Sequence, residues 1–347
     1  MVLLKSRPEY VDVDADFTPL PKHGHLSEKH PAFAAIETAI GAAFAPFWAL
    51  PDFATFREAA GGADAVMPPG GPDRYKDVAT ELIEFQARDG HLVELKVYKS
   101  PNVAPNATLM YRMHGGGWCV GSHEVDGTEN VYAATNTNIV VVSVKYRKAP
   151  EYPFPCGPND CYDGLMWCRK NFQSLGIDPR KTILSGSSSG GNLAACLAIQ
   201  CRDEGIPGIV AQVLHFPPTS HPKYFPRDRY EFGSYVQNSS NPVLSTIWME
   251  AFLDAYVPHP SPDHRHSPLL TPSLKGLPPT LIQCGGLDIL RDDAFAYAEA
   301  LSDSGTSVEF YVYKGLPHCF TEMLLDIPET AEFYQRYMDF LERRTSG

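Results

Sequence analysis

Residues 181–200 read KTILSGSSSGGNLAACLAIQ, with three consecutive serines set between glycines. By composition the middle is a flexible Gly/Ser tether. The flanks decide against that reading. KTIL has the makings of a short strand, and NLAACLAIQ carries apolar residues at helical spacing; a tether does not join two such elements directly. Strand, tight turn and helix are the setting of a nucleophile elbow, G-x-S-x-G, whose sharp turn leaves no room for side chains two residues to either side of the serine. Ser188 alone has glycine at both positions, Gly186 and Gly190. Ser187 is flanked by Ser185 and Ser189, and Ser189 has Ser187 on one side.

A serine hydroxyl is a poor nucleophile near neutral pH. It needs a base within hydrogen-bond reach, a group that orients the base, and donors for the oxyanion that forms. Residues 113–118, MHGGGW, follow the strand-like TLMYRM. Their glycines let the backbone approach a substrate and turn N–H groups toward one point. We expect Gly115 and Gly116 to supply two oxyanion donors and the N–H of Ser189 a third. His114, at the strand end, is read as bracing this loop. Asp288 follows PTLIQCG, in GGLDILRDD, and His318 follows SVEFYVYK, in GLPHCF. Both stand just past strand C-termini, where open α/β sheets gather their reactive groups. The chain order Ser…Asp…His is that of α/β-hydrolases. Asp292 and Asp293 are rivals to Asp288, but they fall inside the next helix and are read as capping its first turn.

The rest of the chain supplies the frame. TELIEFQA and HLVELKVYK alternate about RDG, which predicts a β-hairpin. TLMYRM, NIVVVSVKY, KTILSG, IVAQVLHF, PTLIQCG and SVEFYVYK follow as short strands, with helical patterns at 158–174, 190–203, 291–304 and 320–343. Strands alternating with helices predict an α/β fold, a mostly parallel sheet covered on both faces. Ahead of it lie a polar arm over 1–30, Ala- and Phe-rich helices over 31–60 broken near Pro46 and Pro51, and a loop over 61–72. Residues 217–266, rich in Pro, His, Tyr and Phe with one helix-like piece near 244–256, interrupt the alternation. They form either a cap over a pocket or an excursion packed on the sheet.

Composition excludes several classes. A formal charge of −12 repels phosphate backbones and no basic patch is present, so no nucleic-acid partner is expected. No apolar run reaches roughly 18 residues, and MVLLKSRPEYVDVDADF turns polar too early for a secretory signal. We expect a cytoplasmic protein without stable membrane insertion. The glycosylation-like triplets at Asn106 and Asn238 are then chance occurrences. Eight cysteines without a CxxC spacing read as reduced core thiols. The pairs His23/His25 and His264/His266 lack further ligands at suitable spacing, so neither a metal nor any other cofactor is expected.

HGGGW, YRKAPEYPFP (146–155) with ND at 159–160, GSSSGGNLA, SPLLTPSLKGLPPTLIQCGGLDILRDD (267–293) and GLPHCF stand in this order over roughly residues 80–325. In these pieces the chain resembles the hormone-sensitive-lipase-like branch of the α/β-hydrolases, the family IV esterases of bacteria and their fungal and plant relatives. The resemblance implies an α/β-hydrolase fold with a helical cap and a triad of Ser188, Asp288 and His318. It also implies an oxyanion hole at Gly115, Gly116 and Ser189. Mapped onto this chain, residues 1–75 are an arm and cap helices, 76–216 the first part of the core, 217–266 the cap insertion and 267–347 the second part of the core. Three positions depart from the family pattern. Ser187 and Ser189 replace the Asp and Ala of G-D-S-A-G, and Lys148 stands where an apolar residue is usual, which we read as a surface position.

The expected activity is that of a serine carboxylesterase acting through an acyl-enzyme, with no cofactor. Its partner is a small-molecule ester, either one with a short-to-medium acyl chain or an ester or lactone of a secondary metabolite; a homodimer is compatible with this. Two alternatives differ in kind: an acyltransferase using the same acyl-enzyme, and a non-hydrolytic small-molecule binding protein of the same fold. Retention of both Ser188 and His318 favours hydrolysis. Of Phe44, Phe47, Trp48, Phe53, Tyr224, Tyr230, Tyr235 and Trp248, some are expected to line the substrate pocket and the others to form the core of the cap. Cys119 and Cys319 place thiols beside the motifs.

Overall fold

The computed structural model describes residues 4–13, 21–60 and 65–346. Parts of the expected arm (1–3 and 14–20) and of the expected loop (61–64) lie outside the described residues, as does residue 347. The strands are β1 (Ala79–Gln86), β2 (Leu92–Lys99), β3 (Ala107–Met113), β4 (Ile139–Val144), β5 (Ile177–Ser187), β6 (Ile209–His215), β7 (Thr280–Gly285) and β8 (Val308–Tyr313). The helices are α1 (Pro31–Trp48), α2 (Phe53–Ala60), α3 (Gly127–Thr135), α4 (Cys156–Lys170), α5 (Phe172–Leu175), α6 (Ser189–Asp203), α7 (Ser234–Gln237), α8 (Thr246–Tyr256), α9 (Arg291–Asp303) and α10 (Pro328–Thr345).

The strands form one sheet in the order β1-β2-β4-β3-β5-β6-β7-β8. β1 and β2 make the expected hairpin, β2 pairs antiparallel with β4, and every later pairing is parallel. Strands β3 and β4 are buried along their whole length, as a sheet covered on both faces requires. Helices α3 and α10 pack together against the sheet, as do α4 and α6, while α9 lies against β7 and β8. The order inverts at β3 and β4. The chain therefore leaves β3 toward one edge of the sheet and β5 toward the other, which opens a crevice at their adjacent C-terminal ends.

Three helix boundaries differ from expectation. Pro46 lies within the last turn of α1, where its missing N–H removes one hydrogen bond without ending the helix. The pattern over 320–343 divides into a 3₁₀ turn at Phe320–Glu322 and α10, because Pro328 is at the first position of the second helix. The pattern over 158–174 divides into α4 and α5. Helix α3 was not anticipated.

The segment over 217–266 carries α7 and α8 and lies over the crevice together with α1 and α2. Aromatic rings join the pieces: Trp48 stacks on Trp248 and Phe53 on Phe252. Buried polar side chains tie the segment to the core. Asn192 Nδ2 donates to the carbonyls of Pro218 and His266, both at 3.0 Å, fastening the two ends of the segment to α6. Asp293 Oδ1 accepts from the N–H groups of Thr219 and Ser220, and Asp292 Oδ2 accepts from that of Ser234. Asp292 and Asp293 therefore clamp the inserted segment. They do not cap the first turn of α9, as had been expected.

Candidate active site

Strand β5 delivers Ser188 to the crevice. The residue sits at φ 53°, ψ −124°, a conformation that costs a non-glycine residue of order 1–3 kcal/mol. Two bonds hold it there: its N–H donates to His215 O at 2.8 Å, and Asn192 N–H donates to its carbonyl at 3.1 Å. The flanking glycines are needed for space. A Cβ on Gly186 would lie 2.2 Å from the Gly190 backbone, and one on Gly190 would lie 2.0 Å from Met113 O at the end of β3.

Ser188 Oγ lies 2.9 Å from His318 Nε2, and His318 Nδ1 lies 2.7 Å from Asp288 Oδ2. The second oxygen of Asp288 accepts from Leu290 N–H, and Asn238 Nδ2 bonds the Asp288 carbonyl. Asp288 is 1% exposed and His318 7%, so the carboxylate is shielded from water and the ring opens only toward the serine. The edge of Phe216 supports the imidazole from the side. In this arrangement Asp288 can hold Nδ1–H, which leaves Nε2 free to take the serine proton. Ser187 Oγ lies 3.8 Å from Cys319 Sγ, so a hydroxyl beside a thiol replaces the usual acid of the elbow.

The glycine loop runs between β3 and the cap. His114 stacks on Tyr146 with ring centroids 4.3 Å apart, and its Nδ1 bonds Gly115 O at 2.7 Å. Burial holds its pKa well below the ordinary value, so the ring braces the loop as a neutral group. Gly117 meets the cap directly: at φ +58°, a Cβ there would lie 2.4 Å from the Phe252 ring. Lys148 is half-buried, not the surface position expected, and burial lowers its ammonium pKa to about 8.

The three expected oxyanion donors are not equivalent. Gly115 N–H donates to Asp126 Oδ2 at 3.0 Å and is therefore already committed. The N–H groups of Gly116 and Ser189 have no protein acceptor among the described residues. Asp126 belongs to a buried charged cluster beneath the loop. Arg112 pairs with Glu129, lies 3.5 Å from Asp126 Oδ2 and donates to Ser185 Oγ on β5. Glu129 also meets His215 Nδ1 at 3.1 Å. Burial raises the carboxyl pKa of Asp126 against the pull of Arg112, whereas Arg112 and His215 hold that of Glu129 down despite burial. Sequence reasoning passed over Asp126 and Arg112, because no motif marks them and only the fold brings them under the loop.

A cavity of about 360 Å³ opens at Ser188 and His318. Its wall is largely apolar and comes from the cap: Phe44, Trp48, Phe56, Val243, Leu244, Met249 and Phe252. Of the eight aromatic residues expected at the pocket or in the cap, Phe44 and Trp48 line it. Tyr235 is wholly buried in the cap. A second cavity of about 260 Å³ shares Ser122, Val125, Asp126 and Glu322 with the first and is more polar. Of the histidine pairs, His23 stacks on Phe295 and His266 Nδ1 bonds Ser267 Oγ. Among the described residues no three His, Cys, Asp or Glu side chains are grouped to hold a metal, and no helix is long and apolar enough to cross a membrane. All eight cysteines are unpaired.

A family model of the alpha/beta hydrolase fold matches residues 110–322. Carboxylesterase NlhH of Mycobacterium tuberculosis is 36% identical over 256 residues, which are 72% of this chain and 78% of the relative. The versiconal hemiacetal acetate esterase of Aspergillus parasiticus is 34% identical over 253 residues, 72% of this chain and 77% of the relative. Among solved structures, esterase rPPE in complex with (S)-Ac-CPA superposes with a TM-score of 0.78 at 25% identity, covering 92% of this chain and 99% of that one. Vibralactone cyclase superposes at 0.77 and 26%, covering 93% and 97%. With its inverted strand order, its elbow serine and these likenesses, the chain belongs to the α/β-hydrolase family, on its hormone-sensitive-lipase-like branch, and is a carboxylic ester hydrolase.

Proposed function

We propose that the protein hydrolyses uncharged esters of short-to-medium acyl chains, including esters or lactones of secondary metabolites, through an acyl-enzyme on Ser188. The observation that carries this is the hydrogen-bonded series Ser188–His318–Asp288, at 2.9 and 2.7 Å, opening into an apolar cavity. Ser188 Oγ attacks the ester carbonyl while its proton passes to His318 Nε2. Asp288 stabilises the imidazolium and fixes the tautomer. The tetrahedral oxyanion takes the free N–H groups of Gly116 and Ser189, donors of a kind each worth about 3 kcal/mol in the transition state. His318 returns the proton to the leaving alcohol, and the ester C–O bond breaks. Water then attacks the acyl-enzyme with His318 as base, releasing the acid and free Ser188. The cavity is the size of a small ligand and is walled by rings and aliphatic chains, which supports an uncharged acyl or alkyl group. Asp288 and His318, which hydrolysis needs and binding alone does not, are both in hydrogen-bonding position, which favours hydrolysis over binding.

A series of p-nitrophenyl esters of increasing chain length, run on the wild type and on Ser188→Ala, tests the reading. The expected result is a maximum at short-to-medium acyl length and a loss of about 10⁴-fold or more in the variant. An unchanged rate in Ser188→Ala removes the assignment. Product analysis with and without an added alcohol separates hydrolysis from acyl transfer: free acid in both cases supports hydrolysis, and a new ester as main product supports transfer.

A further inference from the structure

Resting on the reading that Ser188 is the nucleophile, we infer that Asp126 is a positioning residue that sets the oxyanion loop in register with the nucleophile elbow. Its place in the fold argues for this. Asp126 immediately precedes α3 and is 4% exposed, yet it makes no capping bond to that helix. Its Oδ2 instead accepts the N–H of Gly115, 11 residues earlier, at 3.0 Å. Gly115 has no side chain through which the core can hold it. Its Cα lies so close to the elbow that a Cβ would approach Ser187 O to 3.2 Å and Ser188 Cβ to 3.5 Å. A carboxylate bonded to this N–H therefore sets the distance between loop and nucleophile.

The carboxylate is itself tied to the elbow by a second route. Arg112 Nη2 lies 3.5 Å from Asp126 Oδ2, and the same guanidinium bonds Ser185 Oγ at 2.8 Å and pairs with Glu129. Glu129 meets His215, whose carbonyl accepts the Ser188 N–H at 2.8 Å. One buried network thus spans the glycine loop, β3, β5, α3 and β6. The Gly116 N–H, next in the chain and free of protein acceptors among the described residues, is the donor whose place this network fixes. Such a group acts through Gly116 and touches no substrate atom undergoing reaction. Its loss is felt where charge develops, and ground-state binding is spared.

Two variants separate acceptor geometry from charge. Asp126→Asn keeps an acceptor oxygen at the same reach and removes the charge; Arg112 retains Glu129 as its partner. Asp126→Glu keeps the charge and displaces the acceptor by one methylene. On p-nitrophenyl acetate or butyrate, Asn is expected to stay within about threefold of wild-type kcat, and Glu to fall by about 10- to 100-fold with KM changed less than about threefold. Binding of a trifluoromethyl ketone, whose carbonyl adds Ser188 Oγ to give a hemiketal oxyanion on those donors while the serine proton passes to His318, should weaken in Glu by the same factor as kcat, and binding of the matching alcohol should stay level. Equal kcat in both variants, Glu above Asn, or a fall confined to KM overturns the inference. Failure of the underlying reading is a different result: wild-type protein that neither hydrolyses these esters in a Ser188-dependent way nor binds the ketone.

Discussion

Trp48 of α1 stacks on Trp248 of α8 with ring centroids 3.6 Å apart and planes 23° from parallel. This contact joins the N-terminal helix to the inserted segment, and Trp48 also walls the cavity above Ser188. Stacked aromatic pairs contribute about 0.5–1.5 kcal/mol beyond their buried area. Trp248→Ala should therefore loosen α1 from α8 without touching the reacting groups. We expect the preferred acyl length to shift upward by several carbons and stability to fall by about 1–3 kcal/mol. The chain-length profile together with a denaturant titration checks both; an unshifted profile with lowered stability would confine the pair to a structural role.

Gly117 faces Phe252 so closely that a methyl group cannot fit, and its φ of +58° disfavours any side chain. Gly117→Ala is expected to displace α8, raising KM about tenfold and lowering stability by about 2 kcal/mol. Adding Phe252→Ala should recover most of the KM, since the clash partner is then gone. Non-recovery in the double variant would place the cost in the backbone conformation alone.

Asp293 is fully buried, and one of its oxygens has no partner among the described residues. Burial pushes its pKa from 3.8 to about 7. Between those values the folded chain holds a proton that the unfolded chain has released, so this residue's contribution to stability is lost as pH rises, and levels off above about 7. Asp293→Asn keeps the acceptor for Thr219 and Ser220 and removes the titration. The variant should gain on the wild type as pH rises from 4.5 to 7, by up to about 1.4 kcal/mol per unit. Unfolding free energies measured across that range decide it; a difference flat with pH would mean the carboxyl is ionised throughout.

Cys319 lines the cavity beside His318, whereas Cys119 is wholly buried beneath α8. Burial raises the Cys319 pKa well above its ordinary value, so few thiolates are present at neutral pH. Bulky maleimides should therefore label Cys319 slowly and cut activity about tenfold or more by filling space at the serine. Cys319→Ser should be protected and Cys119→Ser should not. Mass spectrometry of the labelled peptides alongside residual activity checks the order.

Much of this is legible in the sequence alone. Ser188 can be picked from three serines because hard contacts two residues away admit only glycine, and in the fold a Cβ at either position would meet backbone at 2.0–2.2 Å. The strands could be read because short β-branched runs buried on both faces carry their own signature. The reading failed where distant chemistry overrides local pattern. Asp292 and Asp293 read as helix caps, but the inserted segment offers their carboxylates backbone N–H groups from 58 to 74 residues away. Lys148 read as surface because a charged residue stands where an apolar one is usual, yet the fold half-buries it.

By itself the sequence determined the alternation of strand and helix, the elbow register and the order in which a hydroxyl, a carboxylate and an imidazole arrive, because each rests on local sterics and periodicity. Only the tertiary structure decided that Gly115 gives its N–H to Asp126, that α8 closes on Gly117, and which cap aromatics face the substrate. Those relations depend on how the sheet's inverted strand order brings remote segments to one crevice, and no spacing along the chain encodes a distance across it.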